Sequence, residues 1–192
     1  MAPFEFIILF FSFIYTLGLT HLLFAVSRMI RHRRKLVFSW PHALWMLVAA
    51  SWLSGNWLSL WDFRHFETLT LSTIASGMAF VIINYFVCSL VSPDFEDGES
   101  YDMQRFHAQE GRTYVGTFLL LVVVSTVINF LATAQLSIAN WGAQNALVIF
   151  MLPAPLLALF VRKSWVQVLA PLLLLVLFVI FTINYYPVLA AG

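Results

Sequence analysis

Six segments of this chain carry no Asp, Glu, Lys or Arg in their centres, and each is long enough to cross a bilayer. A hydrocarbon core of roughly 30 Å takes about 20 helical residues. The segments are 4–26, 41–60, 68–91, 114–134, 141–161 and 165–185. They are apolar on all faces, whereas barrel strands would alternate polar and apolar over about 10 residues. Lipid tolerates a backbone only where every N–H and C=O is paired, which leaves helices. The expected fold class is all-α: an integral membrane bundle of six transmembrane helices, one domain over residues 1–192 with a single sizeable loop at 92–113. Composition agrees, with 61% hydrophobic and 10% charged residues, against about 25% charged in soluble domains. That balance excludes a soluble globular domain and a disordered chain, and the net charge of +1 excludes a free-standing nucleic-acid binder. Cys88 is the only cysteine, so neither an internal disulfide nor a thiolate cluster can form. The start, Met1-Ala2-Pro3-Phe4-Glu5, lacks the basic region of a signal peptide, so the first run reads as a retained helix.

Basic residues set the expected orientation. Arg28, Arg31, Arg33, Arg34, Lys35, Arg105, Arg112, Arg162 and Lys163 all fall in loops 1, 3 and 5, and only Arg64 lies on the other side. The positive-inside rule puts those loops in the cytoplasm and both termini outside. Trp40, Trp61, Trp141 and Trp165 fall at the expected interfaces, where an aromatic belt anchors helices. Arg31, Arg33, Arg34 and Lys35 are placed to meet anionic lipid headgroups, each basic residue contributing about 1 kcal/mol. Pairing with the acidic stretch of loop 3, Asp94 to Asp102, is a supplement to that role. Loop 3 does not fit a calcium-binding EF-hand, because Pro93, Phe95 and Gln104 would occupy ligand positions. It reads instead as a turn and a short helix from Tyr101 to Glu110, capped by Ser100 and stopped by Gly111.

Small residues recur at helical spacing. Gly18 shares a face with His21 and Ala25, Ser51, Gly55 and Ser59 repeat every four residues, and Thr73 and Gly77 do the same. Such faces let backbones approach closely in lipid. They predict tight packing, against partners in this chain or another. Polar residues gather in the outer half: Trp52 and Asn56 on the second helix, Asn129 on the fourth, Gln144 and Asn145 on the fifth, Asn184 on the sixth. These fit either interhelical amide hydrogen bonds or a pocket for a neutral small molecule. Pro153 and Pro155 free the carbonyls of Ile149 and Met151, so the fifth helix should bend.

His21, His42 and His107 are weak candidates for a metal or haem, since no pair has one-turn spacing and no acidic ligand accompanies them. The sequence holds no G-x-S-x-G, HExxH or Walker A motif. Asp62, Arg64, His65 and Glu67 cluster after the second helix, where solvation accounts for them.

Several elements together carry a resemblance: Gly18-Leu19-Thr20-His21-Leu22-Leu23, the basic turn Arg31 to Lys35, Trp40 leading into Trp45, and Pro93-Asp94 before Tyr101 and Asp102. The chain resembles a family of small bacterial inner-membrane proteins with six helices, which has no assigned activity. The resemblance implies a bacterial cytoplasmic membrane location and carries over no activity and no catalytic residue. The expected function is a non-enzymatic packing or accessory subunit of a homo-oligomer or larger membrane complex. The alternative is a carrier or channel for a neutral or weakly polar molecule.

Overall fold

A computed structural model of the protein describes residues 3–61, 70–94, 101–132 and 137–185. Helix α1 spans Pro3–Arg31, α2 Trp40–Ser59, α3 Leu71–Val91 and α4 Met103–Ala132. Three short helices follow, α5 Ile138–Gln144, α6 Ala146–Met151 and α7 Pro153–Phe160, and then α8 Ser164–Tyr185. The chain is an all-α bundle apart from β1 (Leu36–Val37) and β2 (Tyr101–Asp102), which pair in parallel. Parts of α1, α3, α4 and α8 are long and apolar enough to cross a membrane.

Local chemistry explains the helix starts. Thr70 caps α3, its hydroxyl accepting from the Thr73 amide at 3.2 Å. Ser137 does the same for α5 through Asn140. Pro41 sits in the first turn of α2 and Pro153 in that of α7, where a missing N–H is harmless.

Helix α2 differs from the four apolar helices in having neighbours on several sides. It packs against α1, α3, α4 and α8, and His42, Trp45, Met46, Val48, Ala49 and Leu53 are buried. A helix flanked by four neighbours does not need an apolar surface all round, so its three Ser and four Trp residues are tolerated. Trp45, Tyr114, Phe118 and Leu121 form the centre of the core, with Trp45 edge-on to Phe118 at 5.7 Å between ring centroids.

Two sequence expectations change here. The short helix ending at Gly111 is instead the first part of α4, which runs unbroken for 30 residues. Glycine weakens a helix without ending it, and Gly111 lies directly against His107 and Tyr114. Asp102 caps this helix by accepting from the Arg105 amide at 2.9 Å; the expected cap, Ser100, lies outside the described residues. The second change is in 141–161, which breaks at Asn145 as well as being interrupted at the prolines, where Leu152 keeps helical backbone angles between α6 and α7. Asn145 leaves helical geometry between α5 and α6. Before Pro153, the Ile149 carbonyl is taken by the Leu152 amide in a tighter turn at 3.2 Å. The cluster Asp62, Arg64, His65 and Glu67 also lies outside the described residues.

Candidate functional site

The ends of α1–α4 that carry most of the basic residues are tied together. The Arg28 guanidinium donates to Asp94 at 2.7 Å, and the Gln104 amide donates to the Phe38 carbonyl at 3.1 Å. The β1–β2 pair joins the same two loops. Loops 1 and 3 therefore meet, although Asp94 is 96% exposed and the ion pair adds little by itself. Arg31, Arg33, Arg34 and Lys35 are exposed beside a shallow concavity of about 360 Å³.

The three histidines separate. His42 is fully buried, and its Nε2–H donates to the Val91 carbonyl at 2.8 Å, fixing the end of α3 against the start of α2. Its Nδ1 has no hydrogen-bond partner among the described residues. His107 bonds the Tyr114 hydroxyl through Nδ1, and its ring also meets the Gln167 side chain. The Gln167 amide donates to the Ala158 and Val161 carbonyls at 2.7 and 2.8 Å, closing the end of α7. His42 and His107 thus flank Tyr114 from two sides. His21 lies elsewhere, on the exposed side of α1, with Nε2 3.1 Å from the Tyr85 hydroxyl. Among the described residues no three His, Cys, Asp or Glu side chains converge to hold a metal.

The amides expected to gather are distributed over separate bonds. Asn56 donates to Asn84 at 2.9 Å, linking α2 to α3, and Asn84 donates back to the Phe80 carbonyl. The Trp141 indole donates to Asn129 at 3.0 Å. Asn145 and Asn184 bond carbonyls one turn earlier in their own stretches, Trp141 and Ile180. Trp52 packs edge-on to Phe118 at 5.1 Å; the backbone of Gln144 ends α5. Asn84 was missing from the sequence set because its position along α3 places it nearer the opposite end from Asn56.

Glycines on the small-residue faces meet side chains of this chain. A Cβ on Gly55 would come within 2.6 Å of the Phe178 ring, and one on Gly77 within 2.8 Å of Phe11. Gly18 faces Leu53 and Cys88. The Ser59 hydroxyl donates to the Asn56 carbonyl at 2.7 Å, Thr73 shares a bond with Thr70, and Ser51 is half-buried on α2.

A larger cavity of about 500 Å³ opens where α2 begins, beside the first turns of α4 and the α7–α8 junction. Ser39, Trp40, Gln104, Arg112, Arg162 and Gln167 are among its walls. The sequence reading passed over this place, since its residues come from four separate segments. No family model, curated protein or solved structure matches this chain.

Proposed function

We propose that the chain is a non-enzymatic multipass protein of a bacterial cytoplasmic membrane, working as a subunit of a homo-oligomer or larger membrane complex. The observation that carries this is His21. It lies seven residues before Arg28 on α1, or about 10 Å deeper along the helix axis at 1.5 Å per residue. With Arg28 at the lipid boundary, the ring is within the hydrocarbon. One nitrogen is bonded to Tyr85, and the other has no partner among the described residues. An unpaired polar group facing lipid costs on the order of several kcal/mol. A polar group from a neighbouring subunit's helix removes that cost, as interhelical hydrogen bonds do in membranes.

The contacts of Gly18, Gly55 and Gly77 move the expected assembly surface away from the small-residue faces and onto the outward side of α1 and α3. Native mass spectrometry in mild detergent and in lipid nanodiscs tests the proposal. The unsubstituted chain should run above its single-chain mass of 21.9 kDa, and His21→Leu should shift it toward that mass. A single-chain mass for the unsubstituted protein in both media would overturn the proposal.

A further inference from the structure

The cavity at the start of α2 has the chemistry of an anion site. Its charged walls are Arg112 and Arg162, and no Asp or Glu among the described residues lines it. The Arg162 guanidinium is held in place by donating to the Ala108 carbonyl at 3.0 Å. Arg112 is exposed and has no carboxylate partner among the described residues. Helices α2 and α8, of 20 and 22 residues, both begin at this cavity. Their unpaired amides and dipoles add positive potential to that of the arginines.

A further observation points to a ligand. Ser39 lines the cavity, is only 5% exposed, and its side chain makes no capping bond to α2. Its hydroxyl has no hydrogen-bond partner among the described residues and is not one of their fully buried unpaired atoms, so it keeps accessible surface and is within reach of whatever enters. Pro41, Ala158 and Val168 give the wall an apolar part beside Gln104, His107, Ser164 and Gln167. Phe38 and Trp40 stand edge to face at 5.0 Å and are exposed at the mouth. A volume of about 500 Å³ exceeds what a bare anion needs and falls within the range of organic-ligand sites.

We infer that this cavity binds a phosphate-bearing amphiphile or ester, with Arg112, Arg162 and the Ser39 hydroxyl on the phosphate oxygens and Trp40 beside the organic portion. The shared chemistry is a phosphate ester carried either by a phospholipid headgroup or by a soluble metabolite. The site is separate from the basic turn Arg31–Lys35 and does not depend on the assembly proposed above.

The test uses the full chain in neutral detergent. Short-chain phosphatidylglycerol and, separately, glycerol phosphate are titrated while the thermal midpoint and the bound mass are read. Saturable binding of one equivalent is expected. Arg112→Gln should weaken it by about tenfold or more, the usual effect of losing one charge-assisted bond, and Ser39→Ala should weaken it less. Arg105→Gln, which removes an exposed cation outside the cavity wall, should leave it unchanged. Binding of the lipid alone assigns the site to a headgroup, and binding of glycerol phosphate alone or in competition assigns it to a soluble ester; either supports the inference. No saturable binding of either probe overturns it. Equal weakening by Arg112→Gln and Arg105→Gln also overturns it, because that outcome describes diffuse surface charge.

Discussion

The Asn56–Asn84 bond gives a quantitative test of how α2 and α3 are held. Asn84 is 2% exposed and Asn56 half-buried, and the donor–acceptor distance of 2.9 Å is normal for a full hydrogen bond. Asn84→Leu keeps a similar side-chain volume but removes both the acceptor for Asn56 and the donor to Phe80. The interhelical bond itself is worth about 0.6 kcal/mol on average and at most about 1.7 in membrane bundles. The stranded Asn56 amide adds about 1 kcal/mol of desolvation. Together these give a loss of about 1.6–2.7 kcal/mol. Asn56→Leu should cost less, since Asn84 keeps its bond to the Phe80 carbonyl. The double variant should be less destabilised than the sum, by about 0.6–1.7 kcal/mol. Equilibrium unfolding in mixed micelles of the four chains measures the cycle. Additive losses, within about 0.3 kcal/mol, would refute the coupling and leave the two amides as independent groups.

Other substitutions separate packing from association. Gly55→Leu should lower the unfolding midpoint by pushing into Phe178, at a cost of about 1–3 kcal/mol; a midpoint independent of protein concentration would confirm that the contact is internal, and an unchanged midpoint would contradict it. Tyr114→Phe removes the hydroxyl that bonds His107 and should destabilise by about 1 kcal/mol, read by the same micelle unfolding. Asp94→Asn should change stability by less than about 1 kcal/mol, and the change should shrink in high salt.

Hydropathy made the ends of α1, α3 and α8 legible to within a few residues, because those helices are apolar over most of their length. The first eleven residues of α4 were harder to read. Arg105, His107, Glu110 and Arg112 interrupt the apolar pattern there, while the helix is held by the Asp102 cap and by burial of Met103. A helix of 30 residues is about 45 Å long and exceeds a hydrocarbon core of roughly 30 Å. This part therefore answers to interfacial rather than lipid chemistry. Pro153 and Pro155 announced an interruption; the separate break at Asn145 had no comparable signal. The cavity was illegible for a geometric reason. Ser39, Gln104, Arg112 and Gln167 are unremarkable in their own segments and acquire meaning only when α2, α4 and α8 meet.

The joined loops at the arginine-rich end have a mechanical consequence. Strand β1 feeds directly toward α2 and β2 into α4, so their short ladder clasps one helical hairpin, α1–α2, to the next, α3–α4. His42 riveted to Val91 lies just inside the clasp. Two hairpins fastened in this way act like tongs with a fixed pivot: any parting of them must start at the far tips, with the least travel beside the pivot.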